Sequence, residues 1–223
     1  MKIQVDPVAG GITAALYFLL FVLVAVQVGC VREVKGRDAR IAFESVVGIS
    51  VTCIGGSGGG FISKGSGVIV NDHTVLTAAH VAEDPPSMVC VRTATMVDGH
   101  TYLLKPGKAL PERDLASLTT VLENFSPTYP VVYGPVPQYG ERVCAMTAYP
   151  KVLWRCGETQ TSAEPPGDIA HTITTEGGNS GSGVYDSTGR LVGIVTHRWS
   201  CSNGQYCGGK MATLQGYLSE LLP

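Results

Sequence analysis

Residues 66–81 read Ser66-Gly-Val-Ile-Val70, Asn71-Asp-His73 and Thr74-Val-Leu-Thr-Ala-Ala-His80-Val81. Two short runs of β-branched and aliphatic residues flank an Asn-Asp pair that favours a turn. The stretch therefore predicts two strands of one sheet, with His80 at the end of the second. The same rhythm extends in both directions. Strands are expected at Val46–Cys53, 67–70, 74–77, Met88–Val91, Thr101–Leu104 and Leu115–Leu118, separated by Gly55–Gly60, Asn71-Asp72, Pro85-Pro86, Asp98-Gly99 and Pro106-Gly107. Beyond a proline-rich connector over 123–137 come Arg142–Thr147, Val152–Cys156, Ala170–Thr174, Gly183–Tyr185, Leu191–Thr196 and a short piece at 210–213. Leu214, Tyr217, Leu218 and Leu221 then fall at helical spacing, predicting a helix over 213–222. Six strands, six more and a helix make an all-β fold: two six-stranded antiparallel Greek-key barrels, residues 46–122 and 138–222, each closing its own edges.

Composition agrees with many short strands joined by turns, since 28 glycines and 13 prolines recur along the body rather than in one tract. The hydrophobic fraction of 44% is ample for two lobes sharing a core. A formal net charge of -2 offers no broad basic field for a polyanion, so no nucleic-acid partner is expected.

Three residue types stand out because they answer one chemical need. A serine hydroxyl is a poor nucleophile until a base takes its proton, and an imidazole base needs a carboxylate to hold it in one tautomer. The chain supplies His80, Asp114 and Ser180 in that order, each of the first two beside a strand end where it can be held rigidly. Around Ser180, glycines at 177, 178, 181 and 183 permit a tight turn that would aim the N–H groups of Gly178 and Ser180 at one point, an oxyanion hole worth about 3 kcal/mol per donor. The nucleophile elbow of the α/β-hydrolases needs glycine two places after the serine, where Ser182 stands. Taken singly, each of these residues reads as a satisfied strand-end histidine, a turn cap or a hairpin glycine cluster. Their order and combination carry the argument.

Ser66-Gly-Val-Ile-Val with Val75-Leu-Thr-Ala-Ala-His-Val81, Asp114-Leu-Ala, and Gly177-Gly-Asn-Ser-Gly-Ser-Gly-Val-Tyr185 followed by Gly189-Arg-Leu-Val-Gly-Ile-Val195 resemble the chymotrypsin-like serine peptidases. They resemble most the compact bacterial and viral branches, glutamyl endopeptidases and HtrA-type protease domains, over about residues 46–222. The resemblance implies that His80 is the general base, Asp114 its orienter and Ser180 the nucleophile, with Gly178 and Ser180 donating to the oxyanion. It implies a protein or peptide substrate, and no cofactor or metal. It also implies a primary pocket with Thr174 and Thr175 at its base and Thr196, His197 and Arg198 on its wall, with His171 upstream as a further cation. Lacking a carboxylate there, the pocket disfavours a basic P1 residue and suits a small, apolar or acidic one. Two departures bear on function. Gly183 replaces a common proline, which would loosen the turn. Asn179 stands where zymogens carry an aspartate for a freed amino terminus, so no clipping is required. Gly183 and an obstructing Arg198 would also suit a rival reading, an impaired module that binds peptides without cutting them.

The N-terminal flank addresses a membrane. Residues 12–31 carry no charge and include Leu16, Phe18, Leu19, Leu20, Phe21, Val22, Leu23 and Val24. As a helix at 1.5 Å per residue they span roughly 30 Å of hydrocarbon, longer than the core of most secretory signals. Residues 1–31 are thus expected to be a transmembrane anchor or signal segment, and 32–45 a charged linker. The flank Arg32, Lys35, Arg37 and Arg40 argues for a cytoplasmic body by the positive-inside rule, and the cysteines argue the other way. Cys53, Cys90, Cys144, Cys156, Cys201 and Cys207 are an even six once Cys30 is set aside, and they permit 15 connectivities. Cys144 with Cys156 and Cys201 with Cys207 are local and cheap to close, which leaves Cys53 with Cys90. The competing reading is six buried free thiols. An oxidising compartment is favoured, giving a membrane-anchored, extracytoplasmic domain, or a secreted one if the leader is removed.

Overall fold

The computed structural model describes residues 37–56, 59–126, 131–160, 168–200 and 206–222. The expected anchor, residues 1–31, lies outside them; among the described residues no helix is long and apolar enough to cross a membrane.

Twelve strands form two closed barrels. The first contains β1 (Val46–Gly55), β2 (Gly60–Ile69), β3 (Thr74–Ala78), β4 (Met88–Met96), β5 (Thr101–Leu110) and β6 (Leu115–Thr120), in the order β1-β2-β3-β6-β5-β4. The second contains β7 (Arg142–Thr147), β8 (Leu153–Gln160), β9 (Asp168–His171), β10 (Gly183–Tyr185), β11 (Leu191–Ser200) and β12 (Tyr206–Thr213), in the order β10-β11-β12-β9-β8-β7. Renumbered from its own first strand, the second barrel has the circular order of the first. β1 closes on β4, and β7 closes on β10.

The strands outrun the sequence reading where glycine and proline made it stop. β2 begins at Gly60, because Gly60–Ser66 pairs with Ile54–Gly48 through backbone bonds that glycine does not forbid. β5 runs on through Pro106, which pairs with Leu118, and through Gly107, with a register shift between Pro106 and Ala109. Part of the expected linker is a helix, α1 (Arg37–Ser45), whose Ala42 is fully buried. A short helix α2 (Ala79–Ala82) follows β3. The expected terminal helix shrinks to α3 (Leu218–Leu221), because Gly216 adopts φ +87° and breaks the helical run after Leu214.

Each barrel has its own apolar filling, Val47, Ile49, Val75, Tyr102 and Leu118 in the first and Val143, Ile173, Val184, Val195 and Met211 in the second. A third cluster joins them: Val46, Val68, Leu76 and Leu115 from one side meet Met146, Tyr185, Leu191 and Ile194 from the other, with Ala42 of α1 and Leu221 of α3. This seam fixes the barrels against each other, so groups on its rim hold constant distances.

Two disulfides are cross-strand pairs. Cys53 lies directly opposite Cys90 on β1 and β4, and Cys144 opposite Cys156 on β7 and β8. Cys207 is also disulfide-bonded, while Cys201 lies outside the described residues. Cys53 and Cys90 also approach Asp84, but as a disulfide they have no thiolate to offer a metal.

Candidate active site

His80 sits in α2, where β3 turns out of the first barrel, and Asp114 caps the 3-10 turn Pro111–Arg113 that leads into β6. β3 and β6 are paired neighbours, with Ala78 opposite Leu115, so the two residues emerge side by side. Three bonds lock them. Asp114 Oδ2 meets His80 Nδ1 at 2.7 Å, Asp114 Oδ1 accepts from the His80 backbone N–H at 2.9 Å, and the Asp114 carbonyl accepts from Ala79 N–H at 3.0 Å. A carboxylate accepts only, so the proton that fits is on Nδ1, leaving Nε2 with its lone pair. Asp114 itself is left-handed, φ +51°, a conformation aspartate tolerates better than most residues. Its neighbour Arg113 is buried, within 3.1 Å of Asp168 on β9 and with its guanidinium over the Tyr217 ring at 4.9 Å. The carboxylate loop of the first barrel is thereby moored to the second. Burial pushes the Asp168 carboxyl up, against the pull of Arg113 and Lys210.

Ser180 lies in a segment built of two successive turns. Asn179 N–H donates to Glu176 carbonyl at 3.1 Å, and Ser182 N–H donates to Asn179 carbonyl at 3.0 Å. Each turn has glycine at its third position, Gly178 at φ +91° and Gly181 at φ +86°, which side chains disfavour. At Gly181 space forbids one as well, since a Cβ would overlap the Ser66 carbonyl oxygen and Thr77 Oγ1. These bonds, with Gly181 N–H to Val195 carbonyl at 2.7 Å, do not use the N–H groups of Gly178 and Ser180, the two donors expected for an oxyanion.

The loop is held from outside as well as within. Buried Ser66 on β2 ties the loop in place: its N–H donates to Ser180 carbonyl at 2.8 Å and its Oγ to Gly178 carbonyl at 3.0 Å, while Oγ accepts from Ala148 and Tyr149 N–H groups at 3.1 and 3.2 Å. Asn179, 1% exposed, accepts from Glu176 N–H through Oδ1 and donates through Nδ2 to Tyr149 carbonyl at 3.1 Å. An uncharged amide thus does the bracing that a buried ion pair would otherwise do. Nothing in the residues flanking Ser66 marks it for this role in the sequence.

His80, Asp114 and Ser180 line one cleft of about 630 Å³, together with Thr175, Thr196, His197 and Arg198. The His80 and His197 rings are 6.3 Å apart. Thr174 is not among the lining residues: it is exposed, with its carbonyl accepting from Arg155. Its neighbour Thr175 is buried and donates to Gly208 carbonyl at 3.0 Å. Residues 172–176 belong to no strand, so alternation could not tell which threonine points inward. Glu176, absent from the expectations, also lines the cleft but is paired with Arg155 at 2.7 Å. His171 is not a further cation. It is fully buried against Gly209, and burial pushes its imidazole down to about 4, so it is neutral at physiological pH. Backbone groups of His171, Ile173 and Lys210 pull the other way without reaching hydrogen-bond geometry at either ring nitrogen. Gly183 does not loosen its turn; a Cβ there would lie 2.5 Å from Val68 Cγ2, so the close approach of the two barrels demands glycine.

A family model described as a trypsin-like peptidase domain matches residues 65–194, more than half of the chain. The protein belongs to that family. Among solved structures the fold is similar to that of the HtrA-type protease AlgW with decapeptide, with a TM-score of 0.67 and 18% identity over 82% of this chain. The match spans 65% of that chain's length. No curated protein matches the sequence.

Proposed function

We propose that the protein is a serine endopeptidase working through an acyl-enzyme. The observation that carries this reading is the doubly bonded His80–Asp114 pair, opening on the same cleft as Ser180. Ser180 Oγ attacks the scissile carbonyl as His80 Nε2 takes its proton, and Asp114 stabilises the imidazolium. The carbonyl oxygen becomes an oxyanion held by the Gly178 and Ser180 N–H groups. His80 then gives the proton to the departing amine; in the second half water attacks the acyl carbon as the same imidazole takes its proton, and that proton passes to Ser180 Oγ as the acyl–oxygen bond breaks.

The cleft disfavours a basic P1 residue, because Glu176 is already paired and Thr175 and Thr196 bring only hydroxyls. His197 and Arg198, both exposed at its edge, suit a small, apolar or acidic residue. The rival reading, a module that binds peptides without cutting them, rests on Gly183 and Arg198: packing against Val68 accounts for Gly183, Arg198 lines the cleft near Gly177, and turnover of a bound peptide separates the two readings. The disulfides favour an oxidising compartment, with the domain outside a membrane and tethered through residues 12–31. A positional scan of P1 in a peptide library tests the specificity. Small, apolar or acidic residues should be cleaved, and preferred cleavage after Lys or Arg would refute the assignment.

A further inference from the structure

A second cavity, of about 380 Å³, is lined by residues of both barrels and touches the Ser180 loop through Tyr149. Its walls include Ser50, Lys64, Thr95, Tyr149 and Lys151. None of its lining residues is acidic, and among the described residues neither lysine ammonium has a carboxylate partner. The Lys64 ammonium stands 5.2 Å from the centre of the Tyr149 ring, a contact that orients the cation and leaves its N–H donors available. Two uncompensated cations beside one concavity are notable in a chain whose formal net charge is negative.

The cavity is coupled to the reacting centre by short links. The Tyr149 ring lies against the Cα of Gly178, where a Cβ would overlap it, and the Tyr149 carbonyl accepts from Asn179. Lys64 is two residues from Ser66, the bracket of the oxyanion loop. The cleft of Thr175, Thr196 and Arg198 meets the Ser180 loop at Gly177 and Ser180, and the groove meets it at Gly178 through Tyr149.

We propose that the groove receives a carboxylate of the substrate on the leaving-amine side of the scissile bond, held between Lys64 and Lys151. The direction of the peptide rests on the endopeptidase reading; the preference for negative charge rests on the groove alone. The experiment uses the full chain carrying Ser180→Ala and fluorescent peptides that differ only at the second residue after the scissile bond, Glu, Gln or Lys, each with a free or an amidated C-terminus. The Glu peptide should bind about fivefold more tightly than the Gln peptide, and Lys more weakly than both. The preference should shrink as salt rises. Lys64→Glu/Lys151→Glu should reverse the order, and Lys64→Met/Lys151→Met should flatten it while leaving the thermal midpoint in place. A preference that follows amidation rather than the side chain assigns the site to a terminal carboxylate. Equal binding of all peptides, or a Glu preference that survives in both double variants, would overturn the proposal. Cleavage of the Gln peptide by the unaltered protein is read separately. Its absence would count against the peptidase reading and leave the binding result standing.

Discussion

The two barrels share a circular strand order and contribute to the site in opposite ways. The first presents His80 and Asp114 at the ends of two paired strands, tied by bonds that regular structure places within reach. The second presents Ser180 on two glycine turns outside any strand, and part of its shape is borrowed: Ser66 of the first barrel holds the carbonyls of Gly178 and Ser180. Paired strand ends thus bring the proposed base and its carboxylate together, with one left-handed residue, Asp114, and one tie to the second barrel through Arg113. A nucleophile beside an oxyanion hole needs a backbone that points successive N–H groups the same way, and such a backbone must be braced from elsewhere.

Breaking the first barrel's half should have the largest effect. Asp114→Asn keeps the shape but presents an amide to Nδ1, so the wrong tautomer becomes available; kcat should fall by about 10⁴-fold, with a small change in thermal midpoint. Less than tenfold would mean that the pair does not orient the base. The second barrel's half has a stability signature. Below about pH 6.5 unfolded chains take up a proton on His171 that the folded protein refuses until about pH 4. Stability should therefore decline as pH falls across that window, by about 3 kcal/mol if the whole shift is realised, and His171→Gln should remove this part of the slope. Equal slopes in the two proteins would show that His171 is not the group responsible. Ser66→Ala sharpens the comparison most. It removes the Oγ bonds to Gly178, Ala148 and Tyr149 from a buried site, at a cost of about 1–3 kcal/mol. Because the loop rather than the fold depends on it, kcat should drop about tenfold or more while KM changes little. A loss seen only in thermal midpoint would place Ser66 in the core and not in the site.

The twelve strands were legible because alternation and β-branched runs mark strands even at four or five residues, and the triad candidates were legible because each lies in a motif. What escaped had no periodic signal. Thr174 and Thr175 sit in an irregular segment where one step reverses burial. Helix α1 mixes Arg37, Asp38, Arg40 and Glu44 with Ile41, Ala42 and Phe43 over only nine residues, too short for a helical period to stand out, and reads as a charged linker. Arg113 looks like a surface charge beside a turn, and only tertiary structure brings it to Asp168 and Tyr217. His171 looks like a cation because the sequence does not show that it is fully buried, with Gly209 packed against its ring. Glycine and proline, read as breaks, were absorbed into β2 and β5, since the ladder tolerates glycine and a bulge accommodates proline.

Activation of one hydroxyl by one imidazole across the seam between the barrels is tested most directly by reaction of the intact protein with a fluorophosphonate. We predict a single adduct on the peptide carrying Ser180, absent in Ser180→Ala and strongly slowed in His80→Ala. A folded protein that takes up no label, or an adduct that persists in Ser180→Ala, would contradict it.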